Sequence, residues 1–195
     1  MSTRVAKTVL VGDTGVGKSC IAKRAFTQNF DPTVAPGSTI GAEFYEGVIN
    51  LDSNGNSIKF EIWDTAGQEA YRSLTPVFFK QSVIAIFVFD ITNPKTLETL
   101  DYYVKALRDY EPNCFIAVVG NKIDLADDRK VSREEGQEYA NKVGTEFYME
   151  TSAMTGEGIN NLFEALANQK LNFSDVANKG VRLTDQNDKN EKKCC

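Results

Sequence analysis

The stretch with the clearest capacity for chemistry is "GDTGVGKS", Gly12 to Ser19. Its glycines, Gly12, Gly15 and Gly17, let the backbone turn tightly and bring N–H groups against phosphate oxygens. Lys18 would place a cation on β- and γ-phosphates, and the Ser19 hydroxyl suits Mg²⁺. "KTVLV" reads as a strand before the loop and "SCIAKRAF" as a helix after it. In that order the helix N-terminus adds partial positive charge to the cradle. A plain glycine-rich turn is the competing explanation, and strand, loop and helix in the required order weigh against it.

A phosphate loop does not choose between ATP and GTP. "VVGNKIDL", Val118 to Leu125, makes the choice. It follows an apolar strand, so the side chains after Gly120 project from the carboxyl end of the sheet, beside the phosphate loop. The Asp124 carboxylate can accept hydrogen bonds from guanine's N1–H and exocyclic amine. Adenine has no donors there and would leave a desolvated charge unpaired. Asn121 can bond N7, and the stem of Lys122 can lie along the base.

These residues need a scaffold, and the chain alternates apolar strands with amphipathic helices. Strands are expected at Thr8–Val11, Phe44–Leu51, Ile58–Trp63, Val83–Phe89, Phe115–Val119 and Glu146–Met149. Helices are expected at Lys18–Gln28, Thr96–Tyr110, Arg133–Val143 and Ile159–Lys170, the third opening with a capping box from Ser132 to Glu135. The pattern implies an α/β fold of the P-loop NTPase kind: a six-stranded, mostly parallel sheet with helices on both faces. "LDSNGNSIKF", with Asn54-Gly55 between two strand runs, implies a hairpin and hence one antiparallel edge strand.

Composition sets the limits. The 195 residues suffice for one domain, expected over 1–170, with a flexible, polar tail over 171–195. A net charge of −5 argues against nucleic-acid binding. No apolar run is long enough to span a bilayer, and "MSTRVAK" leads straight into a strand without room for a signal peptide. The chain has four cysteines and no histidine. Cys20 and Cys114 are both expected to be buried, and Cys194 and Cys195 end the chain, a usage that suits a reducing compartment better than a disulfide framework.

With the phosphate loop and "NKID" in place, residues 5–170 resemble the Ras superfamily of small GTPases. "STIGAEF" (Ser38–Phe44), "WDTAGQE" (Trp63–Glu69) and the terminal "CC" are similar to its Rab branch, nearest to endosomal members. The resemblance implies nucleotide contacts from Gly15, Val16, Gly17, Lys18, Ser19, Cys20, Phe30, Thr39, Gly67, Asn121, Lys122, Asp124, Ser152, Ala153 and Met154. The Ala153 N–H would meet guanine O6. Phe30 would lie on the base, although a role as a buried anchor at the end of the helix stays open. Mg²⁺ would be held by Ser19 and Thr39, with Asp64 acting through water. Thr33 in "DPT" is a rival to Thr39, which is preferred because "TIGAEF" runs on into the strand. Gly67 would offer its N–H to the γ-phosphate, and Gln68 would be the catalytic residue that positions the attacking water.

The same resemblance implies a switch. Segments 30–42 and 64–76 would be ordered by the γ-phosphate and relax after hydrolysis. Hydrolysis would be slow, since Arg72 is the only arginine in either segment, and an activating protein could supply one. Effectors would read Ile40, Gly41, Phe44, Trp63 and Phe78, with Trp63 expected as the exposed anchor; core packing could also explain each aromatic. The remaining partners implied are an exchange factor, a prenylation escort and a GDP-dissociation inhibitor, acting on a monomer. The tail from Ser174 to Lys193 has five basic and four acidic residues, too little charge for adhesion. Prenylation of Cys194 and Cys195 would supply two lipid chains and hold the protein on the cytoplasmic face of an intracellular, possibly endosomal, membrane while it cycles with the cytosol.

Four features depart from the family pattern. Thr39 follows Lys18 by 21 residues, a longer spacing than usual, and the hairpin is also long. Ala70 replaces an arginine, and Met154 replaces a lysine. The hairpin should change only the edge of the sheet; the other three motivate the alternative of a GTP-binding scaffold with little or no hydrolysis. A P-loop kinase is a third reading, weakened by the lack of a lid-like arginine cluster.

Overall fold

The computed structural model describes residues 2–27, 42–52, 55–65 and 75–173. Six strands form one sheet in the order β2-β3-β1-β4-β5-β6. They are β1 (Thr3–Val11), β2 (Ala42–Asn50), β3 (Ser57–Thr65), β4 (Ile84–Asp90), β5 (Phe115–Asn121) and β6 (Tyr148–Thr151). β1 runs parallel to β3 and β4, β5 runs parallel to β4 and β6, and only β2 is antiparallel, against β3. The expected sheet is therefore observed, with the antiparallel strand at its edge. Gly55, at φ +81°, turns the β2–β3 hairpin, and Asp52 accepts hydrogen bonds from the backbone and side chain of Asn56.

The helices are α1 (Lys18–Phe26), α2 (Thr75–Phe79), α3 (Pro94–Glu98), α4 (Leu100–Tyr110), α5 (Arg133–Lys142) and α6 (Ile159–Ala167), with a 3₁₀ helix at Ile123–Asp128. Strand side chains alternate between two core layers. Ile84, Ile86 and Val88 of β4 pack with α1 and α6, and Ala85, Phe87 and Phe89 with α4 and α5. Phe163 of α6 is central to the first layer, with its ring edge-on to Phe26 at 4.6 Å and Phe60 at 5.4 Å.

Several boundaries differ from expectation, for local reasons. The first half of β1 was not expected, because Thr3, Arg4 and Lys7 break the apolar pattern. It forms because β3 pairs with it from Ser57 onward, whereas β4 joins only at Thr8. The helix expected at Thr96–Tyr110 is two helices. Asn93 caps α3 by accepting from the Lys95 N–H, ahead of Pro94 at the first turn. The Thr99 hydroxyl then donates to the Lys95 carbonyl at 2.8 Å, competing with the helical ladder where α3 gives way to α4. The capping box of Ser132 and Glu135 is present as expected. Cys114 is buried, but Cys20 is only half-buried, a correction to its expected burial. α1 turns Ile21 and Ala22 fully inward and leaves Cys20 on the flank of that face.

Among the described residues, no helix is long and apolar enough to cross a membrane. Replacing Phe163 by Ala should cost about 3–5 kcal/mol, because two aromatic neighbours lose their partner around the cavity. Urea unfolding of the GDP-loaded protein measures this, and a cost below about 1 kcal/mol would contradict the packing described.

Candidate functional site

The site lies at the carboxyl end of the parallel strands, where loops leave β1, β3, β4, β5 and β6. Lys18 opens α1 and is only 5% exposed. Its ammonium donates to the carbonyls of Gly12 and Asp13, both at 2.8 Å. Burial lowers its pKa to about 8, against the opposing pull of Asp64 and Asp13. The Ser19 hydroxyl donates to the Asp64 carboxylate at 2.5 Å. Asp64 is fully buried on β3 beside Leu10 of β1, and the next residue, Thr65, donates its hydroxyl to the Leu10 carbonyl at 2.7 Å. Ser19, the second residue of α1, thus meets the β3 carboxylate, whose charge also acts on the Lys18 ammonium.

Asn121 ends β5 and is 1% exposed. Its amide N–H donates to the Val16 carbonyl at 2.8 Å, while its Oδ1 accepts from the Thr151 hydroxyl at 3.1 Å and the Ala153 N–H at 3.2 Å. One side chain of the "NKID" segment therefore joins the Gly12–Ser19 loop to the 151–153 segment. Gly17 makes the approach possible: at φ +99°, a Cβ there would lie 2.2 Å from Asn121 Nδ2. Guanine O6 would have to share the Ala153 N–H with Asn121 Oδ1.

Lys122 adopts the left-handed conformation, φ +74°, and its ammonium lies 2.6 Å from Asp90 Oδ2. Asp90 also accepts from the backbone N–H and hydroxyl of Thr92. Burial alone would raise the Asp90 pKa, but the bonds from Lys122 and Thr92 outweigh it and hold the group ionised at lower pH than usual. Asp124, in the 3₁₀ helix, is exposed, and the Ser152 hydroxyl donates to its Oδ1 at 2.5 Å. Met154 is 52% exposed and follows the buried Ala153.

Three aromatics line one edge of the sheet. Phe44 and Trp63 sit opposite each other on β2 and β3, with ring centres 5.5 Å apart, and Trp63 lies 6.2 Å from Phe78 of α2. Trp63 was expected to be the exposed anchor, but it is half-buried against the second core layer, with Lys7 over its ring. Phe44, on the edge strand, is 48% exposed and is the better anchor of the three.

The described residues bring together Gly15, Val16, Gly17, Lys18, Ser19, Cys20, Asp64, Asn121, Lys122, Asp124, Ser152, Ala153 and Met154. Phe30, Thr33, Thr39, Ile40, Gly41, Gly67, Gln68, Ala70, Arg72, Cys194 and Cys195 lie outside the described residues. Sequence reasoning missed Thr151, which is part of the Asn121 junction, and Asp90, which positions Lys122. It also missed the support under residues 150–156: Arg129 donates both guanidinium arms to Glu150, at 2.8 and 3.0 Å, and the Tyr148 hydroxyl donates to Glu150 at 2.8 Å. The charge of Glu150, two residues before Ser152, was the one available signal.

The family model described as "Ras family" matches residues 7–172. The chain belongs to that family of small GTPases, and its relatives place it in the Rab branch, near the endosomal members. It is 40% identical to the Ras-related protein Rab-22A of Canis lupus familiaris over 200 residues, covering 100% of both chains. It is 39% identical to Rab-31 of Mus musculus over 200 residues, again covering 100% of both. Against the ras-related protein Rab-5B of Dictyostelium discoideum it is 42% identical over 166 residues, 85% of this chain and 75% of that one. The protein is a guanine-nucleotide-binding GTPase, a Rab-type switch of vesicle trafficking. Nothing in these likenesses favours the scaffold alternative.

The Glu150 network sets a pH dependence. Burial would raise the Glu150 pKa, but the bonds from Arg129 and Tyr148 prevail and hold it below the ordinary 4.5. The native state therefore takes up this proton less readily than the unfolded chain. The stabilisation is complete above pH 4.5 and is lost as pH falls through the lower native value. The stability advantage of wild type over Glu150→Gln should shrink below that pH in denaturant titrations. A pH-independent difference would contradict the network.

Proposed function

We propose that Gly12–Ser19, Asn121, Lys122, Asp124, Ser152, Ala153 and Met154 form the guanine-nucleotide site of this switch. The observation that carries the reading is the Asn121 junction, which ties the phosphate loop to both segments that would read the base. Backbone N–H groups from Gly15 to Cys20 face the phosphates at the start of α1, and Lys18 exchanges its two loop carbonyls for phosphate oxygens. Asp124, held by Ser152, accepts from the N1–H and amine of guanine, and adenine is rejected because it leaves this carboxylate unpaired.

The donor set beside the cradle fits Mg²⁺. A serine hydroxyl and a buried carboxylate meet there, hard oxygen ligands of the kind this ion takes. Ser19, with Thr39 and Asp64, would hold it, and when bound it supplies positive charge against the β- and γ-phosphates. Gln68 holds a water in line with the γ-phosphorus, and the Gly67 and Thr39 N–H groups grip the γ-phosphate. Loss of that phosphate removes the shared partner of segments 30–42 and 64–76, and effectors that touch them together with Phe44, Trp63 and Phe78 let go.

Residues 1–170 form the GTPase domain in this reading, and 171–195 the tail that carries prenyl groups on Cys194 and Cys195. Exchange factor, activating protein, escort and GDP-dissociation inhibitor act on this cycle, which moves the protein between cytosol and an endosomal membrane. Single-turnover assays on the purified chain should show slow phosphate release, accelerated by about 10³–10⁵ with a matching activating protein. Gln68→Leu should lower the activated rate about a hundredfold. No release even with the activating protein would overturn the hydrolytic mechanism. In cells, replacing both Cys194 and Cys195 by Ser should release the protein from membranes, and retained attachment would overturn the lipid assignment.

A further inference from the structure

We propose that Arg24 is a positioning residue for guanine recognition, holding the segment that presents the Ala153 N–H to the base. The assignment rests on the proposed reading of that N–H as the partner of guanine O6. Arg24 lies on α1, six residues beyond Lys18, which is about 9 Å along the helix axis. Its Nη2 donates to the Thr155 carbonyl at 2.7 Å and to the Met154 carbonyl at 3.3 Å. The next residue, Gly156, has φ +90°, and a Cβ there would lie 2.8 Å from Arg24 Nε. The guanidinium is thus set against three consecutive residues, 154 to 156, in a space that a side chain at 156 would close.

Within itself, the segment is a tight turn. Thr155 N–H donates to Ser152 Oγ at 3.0 Å, Gly156 N–H to the Ser152 carbonyl at 2.8 Å, and Ser152 N–H to the Glu157 carbonyl at 2.9 Å. These bonds shape the turn but do not fix it against the rest of the nucleotide site. Asp124 does so at Ser152, Asn121 at Ala153, and Arg24 at the two peptide planes beyond. Met154, exposed and uncharged, brings no cation of its own to this edge. A guanidinium on a carbonyl pair makes charge-assisted bonds in a fixed planar geometry, which an ammonium does not reproduce. The helix that begins at the phosphates therefore also aims the loop that reads the base.

The test measures dissociation of GDP and of 2-aminopurine riboside 5′-diphosphate, which is GDP lacking O6 and with it the N1 proton, from the full chain. Wild type should release the analogue faster, because its Ala153 N–H loses an acceptor and Asp124 loses one of its two donors. Arg24→Met should release GDP about tenfold faster while leaving the analogue nearly unchanged, so that the discrimination shrinks. Arg24→Lys should restore part of it, and Gly156→Ala, which crowds the same contact from the loop, should reproduce the loss even if Arg24→Met loads poorly. Equal acceleration of both ligands, or unchanged GDP release, would overturn the assignment to Arg24 alone. Failure of wild type to discriminate would overturn the reading of Ala153 and this assignment with it.

Discussion

One carboxamide, that of Asn121, holds the loops at the carboxyl end of the sheet in a common arrangement. Buried at the end of a central strand, it gives its N–H to the phosphate loop and its oxygen to Thr151 and Ala153. A buried amide left without these partners would cost about 1–3 kcal/mol for each unsatisfied group. The three loops therefore keep register with one another or all lose it. This arrangement also accounts for the glycine at 17, because any side chain there would occupy the place of the amide.

The surroundings reinforce that junction on two sides. On one, Asp90 fixes the ammonium of Lys122 as the backbone passes through a left-handed turn. On the other, the Arg129–Glu150 fork and the Tyr148 hydroxyl steady the strand that leads into Ser152 and Ala153. Asp90 comes from β4, Arg129 from the loop after the 3₁₀ helix, and Tyr148 and Glu150 from β6, and the parallel sheet delivers all of them to the same edge. The apolar layers beneath set the strand spacing, and the polar groups above spend that precision on a nucleotide. Phe44, Trp63 and Phe78, from β2, β3 and α2, gather at another edge.

Much of this is legible in the sequence alone. The Gly12–Ser19 loop and "NKID" carry their chemistry in contiguous residues, so order and spacing sufficed. The strand pattern was clear where both faces are covered, as in β4, and unclear in the first half of β1, where one neighbouring strand is missing. What stayed hidden depends on pairs distant in sequence. Arg24 and Thr155, Asp90 and Lys122, and Arg129 and Glu150 show no mark until the sheet brings them together. The same limit explains the misjudged aromatic. Alternation on β3 put Trp63 on the outward face, but α2 and the side chain of Lys7 cover it there, and the edge strand leaves Phe44 exposed.

The central claim is that a single side chain couples loops that share no sequence. Hydrogen–deuterium exchange on the GDP-loaded chain, comparing wild type with Asn121→Ala, tests it most directly. The account predicts that backbone amides of 12–20 and of 151–156 lose protection together, although neither segment has been altered. If only the residues adjoining 121 exchange faster, and the phosphate loop stays as protected as before, the coupling described here is wrong.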